Sequence, residues 1–125
     1  CAAAIATLKL LRRNNGAIYQ QIEARAVRLV DGIAGIFEDA GVKVVIARNA
    51  SAFCVYFMDH LPQDLHDILL GHDFERDRSY RVGLIERGVY HFPVPCKQGS
   101  VSAAHSDGDI DRTLEATREV VKALQ

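Results

Sequence analysis

The sequence has few cysteines, no long apolar run and no excess of either charge, and each shortage removes a class of protein. Its three cysteines are Cys1, Cys54 and Cys96. They form no CxxC pair and their number is odd, which argues against a disulfide framework and against a zinc knuckle. A reducing, cytoplasmic setting is the expectation from that usage. No stretch approaches the roughly 18 consecutive apolar residues of a membrane span. Fifteen Lys and Arg against 16 Asp and Glu leave a formal net charge of −1. That balance lacks the basic excess that draws a protein to nucleic acid or anionic lipid. P-loop, GxGxxG, GxSxG and HExxH patterns are all missing, and with them the local signatures of their chemistries.

What is there describes an ordinary globular domain. The chain has 125 residues, 49% of them hydrophobic and 25% charged. One domain of this size buries about two thirds of its unfolded surface. No internal repeat, low-complexity tract or interdomain linker interrupts it. It opens on helix formers (CAAAIATLKLL) with no methionine and no signal-peptide pattern. The expectation is that residue 1 is not a biological start and that the segment comes from a longer protein.

Residues 2–13 favour helix, and Asn14-Asn15-Gly16 then breaks the pattern with residues that tolerate positive φ. From Ala17 to Ala40, Ile18, Ile22, Ala26, Leu29, Ile33, Ile36 and Phe37 recur at steps of three and four. This is an amphipathic helix with one apolar stripe. Gly41 follows as its C′ residue and Val42 as the hydrophobic partner. Gly32 and Gly35 weaken that helix, which points to close packing at both positions. Val42–Arg48 and Ala52–Met58 read as strands, the second apolar on both faces and therefore central. Cys54 within it reads as a small buried hydrophobe.

Pro62 suits the first turn of a short helix, PQDLHDILL. Phe74–Arg87 reads as another helix, with Phe74, Leu84 and Ile85 as apolar anchors and Gly88 as its end. Val89–Phe92 reads as a short strand, Pro93 and Pro95 as the posts of a stiff loop, and Ser100–Ala104 as a strand of small residues. Ser106 and Asp109 have the form of a capping box. Ile110, Leu114, Val121 and Leu124 make the buried stripe of the last helix. The sum is an α+β domain: a small antiparallel or mixed sheet of about four strands with helices packed on one face.

The candidates for chemistry are few. His60, His66 and His72 lie six apart, which is not the i, i+4 spacing of a helical zinc pair, so they read as solvated loop histidines and no metal site is assigned. Ser100, Ser102 and His105 are near in sequence, but a nucleophile pair needs a spatial arrangement and an orienting third group that proximity does not supply. The run DGDID alternates carboxylates as a calcium loop does, yet lacks the glycine and glutamate such a loop requires. Lys97 is the residue to single out: a cation on a restrained loop that could meet a carboxylate or phosphate. Cys96 and Gln98 flank it. Cys96 could be reactive if Lys97 lowers its pKa, and is otherwise a buried spacer.

Two stretches resemble a known family. ERGVYHFP followed by SAAHSDGDIDRTLEATREV resembles the C-terminal end of class III pyridoxal-phosphate-dependent aminotransferases, nearest the glutamate-1-semialdehyde 2,1-aminomutase branch. AAAIATLKLL is similar to the helix after the family's cofactor lysine. IEARAVRLVDGIAGIFEDAGVKVVIAR resembles the long helix and first strand of its small domain. The resemblance implies that residues 1–125 are a C-terminal small domain, with 1–16 the end of a helix leaving a large domain in the same chain. It implies a homodimeric parent that binds pyridoxal phosphate and moves an amino group between a small-molecule donor and an acceptor. It also implies that no catalytic, cofactor-binding or metal-binding residue lies in this piece, which alone binds no cofactor and is inactive. Where the aminomutase branch carries an aromatic–acidic pair facing substrate, this chain has Cys96 and Lys97, a reversal of charge that favours an anion.

The competing readings are a true aminomutase and, from another class, a self-standing, non-catalytic interaction module. They differ in surface. A domain of a larger enzyme should carry a bare apolar patch on helix 2–13 and the start of helix 17–40, and a self-standing module should have those faces covered.

Overall fold

The structure is a computed structural model, and it describes residues 1–124. Helix α1 (Ala2–Leu11) ends in a short 3-10 turn, Arg13–Gly16, in which Asn14, Asn15 and Gly16 all take positive φ. The break anticipated there is thus a left-handed turn that leads into α2 (Ala17–Asp39). Strands β1 (Val45–Asn49) and β2 (Ala52–Tyr56) follow, then α3 (Leu65–Gly71), α4 (Phe74–Glu86), β3 (Gly99–Ser100) and α5 (Asp107–Ala123). The three strands form one antiparallel sheet in the order β1-β2-β3. Ile46 pairs with Val55, and Phe53 with Gly99.

The core lies between the sheet and α2, α4 and α5. Successive strand residues face opposite ways, so Phe53 and Val55 enter the core together with Phe57, which follows the strand. Phe37 from α2 meets the Phe57 and Tyr80 rings edge-on, with centroids 5.4 and 5.3 Å apart. Ile110, Leu114 and Val121 supply the α5 stripe, as their spacing predicts. Gly32 permits the helix pair to close: a Cβ there would lie 2.6 Å from Leu114 Cδ2. Gly35 has no such neighbour, so the packing explanation holds for one glycine of the two. Helix α2 ends as its sequence indicates. Gly41 (φ +68°) donates to Glu38 O and Val42 to Phe37 O, the two bonds of a Schellman motif.

Among the described residues the sheet has three strands and not four. Val89–Phe92 is not a strand, because α4 takes its backbone groups. Gly88 (φ +78°) donates to Ile85 O and Val89 to Leu84 O, a second Schellman motif, while Phe92 O accepts from Arg81. Pro93 then has no N–H to offer a ladder. The strand expected at Ser100–Ala104 shrinks to Gly99–Ser100, since Ser102 and His105 close a turn ahead of α5. Pro62 lies outside α3, whose N-cap is Asp64, accepting from Asp67 N–H. In α4 the apolar anchors also change. Leu84 is buried, Ile85 half-buried and Phe74 exposed, while Tyr80, Asp77 and Arg81 are buried beside Leu84.

Candidate functional site

The singled-out loop, residues 91–98, is held from beneath by two residues of α4. Asp77 and Arg81 stand at i, i+4, one helical turn apart, and the Arg81 Nε to Asp77 Oδ1 distance is 2.5 Å. Both side chains are wholly buried. Arg81 Nη1 donates to Phe92 O (3.1 Å), to Lys97 O (3.0 Å) and to His91 Nδ1 (3.0 Å). Asp77 Oδ2 accepts from Cys96 N–H at 2.7 Å and from His72 Nε2 at 3.0 Å. His72 Nδ1 in turn accepts from Phe57 N–H, which fixes the ring's tautomer.

The pair therefore converts a loop that lies outside the sheet into a fixed one. Cys96 takes φ +57°, a left-handed conformation that costs a non-glycine residue about 1–2 kcal/mol. The short bond from its N–H to a carboxylate offsets that cost. Deleting one partner of a buried pair of this kind costs about 3–5 kcal/mol, because the other charge is left unpaired. Two buried donors, Arg81 Nη2 and His91 Nε2, have no partner among the described residues.

The electrostatics follow from burial beside this pair. Burial, with the Arg81 cation adding to it, drives His91 down to about 4. Burial and then the Asp77 carboxylate push the Cys96 thiol up to about 11. Burial first and the Asp77 anion second thus hold Cys96 in its thiol form, which favours the buried spacer over the reactive cysteine. Burial likewise raises Cys54, which is 8% exposed, and takes Tyr56 up to about 12.

Lys97, Cys96 and Gln98 do not converge on one cavity. Cys96 and Gln98 line an open cleft on the sheet's outer face, with Ala47, Ala52, Cys54 and Tyr56. Lys97 lies outside that cleft. It is exposed, with its ammonium 5.6 Å from the centroid of the Phe92 ring.

The other candidates resolve into structure. His72 is buried, not a solvated loop residue, and is bonded at both ring nitrogens. With Asp77 and Cys96 it brings three potential metal ligands within 4.8 Å, the one such group among the described residues. The bonded imidazole, the raised thiol and the adjacent guanidinium suit a hydrogen-bond network and not a cation. His60 bridges Asp59 and Asp67 at the surface. Ser102 Oγ does approach His105 Nδ1, at 3.1 Å, but that nitrogen also accepts Ser102 N–H in a local turn. The DGDID carboxylates part company: Asp107 pairs with Arg25, Asp111 with Arg28, and Asp109 completes the capping box with Ser106.

Sequence reasoning missed Asp77 and Arg81. The available signal was an Asp and an Arg four apart flanking the apolar positions of α4, a spacing that far more often marks a solvated face.

Outside the loop, several large apolar side chains are exposed. Helix α1 has no buried residue, and Ile5, Leu8 (60% exposed) and Leu10 are bare, as is Tyr19 at the start of α2. Exposed apolar side chains thus stand on both stretches where a bare patch is expected.

Comparison with known proteins agrees with this fold. The chain is 36% identical over 123 residues to glutamate-1-semialdehyde 2,1-aminomutase of Desulfitobacterium hafniense, covering 98% of this chain and 28% of that protein. It is 35% identical over 118 residues to the same enzyme of Laribacter hongkongensis, covering 94% and 27%. The chain thus spans little more than a quarter of the length of the curated relatives it matches. Among solved structures, the FumI protein of Sphingopyxis sp. MTA144, in its PLP internal aldimine form, superposes with a TM-score of 0.79 at 26% identity. The match covers 98% of this chain and 26% of that one. A glutamate-1-semialdehyde aminomutase from Pseudomonas aeruginosa PAO1 gives 0.79 at 16% identity, covering 92% and 26%, a likeness of fold. No family model matches the chain. The chain is a homologue of one part of these aminomutases, and its α+β architecture is that of an aminotransferase C-terminal domain.

Proposed function

We propose that residues 1–125 form the C-terminal small domain of a class III pyridoxal-phosphate-dependent aminotransferase, and that the parent moves an amino group between a small-molecule donor and a keto or aldehyde acceptor. The observation that carries the reading is homology over 98% of this chain to little more than a quarter of the aminomutases. The bare apolar face of α1 supports it, as the side turned to a larger domain of the same polypeptide. The same reading makes the parent a cytoplasmic homodimer.

The described residues do not fit a pyridoxal-phosphate site. Lys9, Lys43, Lys97 and Lys122 are all exposed, and the buried carboxylate Asp77 is already occupied by Arg81, His72 and Cys96. We assign the cofactor contacts to polypeptide outside this segment. The segment's own share is substrate-side: Lys97 offers its ammonium to an anionic group of the substrate, with Cys96 and Gln98 shaping the adjoining cleft. The name of the relatives favours a second reading, aminomutase activity on glutamate 1-semialdehyde. A cation at position 97 argues for an anionic contact instead.

The test is an assay of the polypeptide as its gene encodes it, with pyridoxal phosphate and a panel of amino donors. Transfer to a keto acid or aldehyde is expected, and Lys97→Glu should reorder the donors with little loss of stability. An encoded protein with no polypeptide beyond these 125 residues, or no transfer with any donor, would defeat the reading.

A further inference from the structure

We propose that Asp77 and Arg81 are positioning residues, which set the backbone of residues 92–97 and thereby the place where Lys97 meets an anionic substrate group; the functional half of this rests on the substrate-side role given to the loop above. Burial does not hold the loop, since Phe92 and Val94 are about half exposed. Sheet pairing does not hold it either, since β3 begins at Gly99. Its one internal backbone bond joins Lys97 N–H to Val94 O. The remaining restraint comes from α4. One guanidinium nitrogen grips the carbonyls of Phe92 and Lys97, the two ends of the segment, and the carboxylate grips the Cys96 N–H between them.

Chemistry limits what could replace these residues. A carbonyl-binding fork needs a planar donor that can serve several acceptors from one place, which guanidinium supplies and ammonium does not. A donor-gripping partner must be an acceptor, and a carboxylate has lone pairs left after meeting the guanidinium. Both groups are out of water, so the contacts they make to the loop are not exchanged for solvent. The segment between the grips holds Pro93 and Pro95, which limit its conformations further. Lys97 leaves this frame in one direction, over the Phe92 ring.

Amide exchange of the encoded protein, read by mass spectrometry on the peptide covering residues 93–98, tests the structural half. Cys96 and Lys97 N–H should exchange at least ~100-fold more slowly than in a free peptide. Free-peptide rates at both amides would overturn the proposal without any variant being made. The double variant Asp77→Leu/Arg81→Met removes both charges together and keeps an apolar core. It should lose that protection while peptides of α2 and α5 keep theirs. Arg81→Lys, which retains the cation but not the fork, should lose it in part, and serves if the double variant does not fold.

Kinetics test the functional half. The double variant should raise KM for a carboxylate-bearing substrate about tenfold, the scale of one lost charged contact, with kcat little changed. Lys97→Ala should do the same, and the triple variant should add nothing further. Loss of protection with KM unchanged, where Lys97→Ala does raise KM, would overturn the positioning role. If Lys97→Ala alone leaves KM unchanged, the substrate-side reading of the loop fails, and the exchange data still decide whether the pair holds it.

Discussion

The Cβ position of Gly32 lies 2.6 Å from Leu114 Cδ2, whereas that of Gly35, one turn on, meets nothing within 4 Å. Two glycines of one helix are therefore in opposite situations. Alanine at either site gains about 1 kcal/mol of helix propensity. At Gly35 that gain stands, and Gly35→Ala should stabilise by about 0.5–1 kcal/mol. At Gly32 the added methyl presses on a packed leucine, and overpacking costs about 1–3 kcal/mol. Gly32→Ala should be net destabilising in urea unfolding. Equal effects of the two substitutions would contradict the α2–α5 packing described.

Acid should loosen the fold through His91 before it reaches the carboxylates. The group's folded pKa of about 4 lies below its ordinary 6.5. Between those values the unfolded chain binds the proton and the folded chain does not. Stability is therefore full above pH 6.5, falls as pH drops from 6.5 to 4, and changes no further from this source below 4. The whole effect is about 3 kcal/mol. His60, raised by Asp59 and then Asp67, acts with the opposite sign: its contribution is present below pH 6.5 and lost as pH rises through its folded value. Denaturant midpoints between pH 4 and 6.5 should slope in the parent and flatten in His91→Gln. An unchanged slope in that variant would reject the assignment.

Ser106→Ala removes the side chain that accepts Asp109 N–H at the head of α5. The expected cost is about 1 kcal/mol. Ser106→Thr, which keeps a hydroxyl that both accepts from Asp109 N–H and donates to its carboxylate, should recover most of it. Urea midpoints decide, and a Ser106→Ala protein as stable as its parent would remove the cap from the account.

The three thiols should react in a set order. Cys1 is exposed, Cys54 is buried, and Cys96 is half-buried with a pKa of about 11. At pH 8 an aromatic disulfide reagent should label one thiol quickly and all three only in denaturant. Labelling of Cys96 as fast as Cys1 would mean that the Asp77–Cys96 contact is not maintained in solution.

Much of the fold was legible because its signals are local. The stripe of α2 repeats within three or four residues, Gly41 and Val42 close it within the next two, and Ser106 meets Asp109 three residues away. A side chain's reach covers such spacings, so the residue pattern alone carries the geometry. The same reasoning failed for Val89–Phe92, whose composition is that of a strand but whose backbone groups are taken by the end of α4 and by Arg81.

The order of the helices and central strand, the helix ends at Gly41 and Gly88, the cap at Ser106, and the loop that carries Lys97 were determined by the amino-acid sequence alone. Only the tertiary structure decided that Asp77 and Arg81 are buried and what they grip. Their partners Cys96 and Lys97 lie 19 and 16 residues further along the chain. No periodicity of one helix encodes a distance of that kind. An Asp and an Arg four apart are solvated on most helices, and here they are core because the chain returns over them.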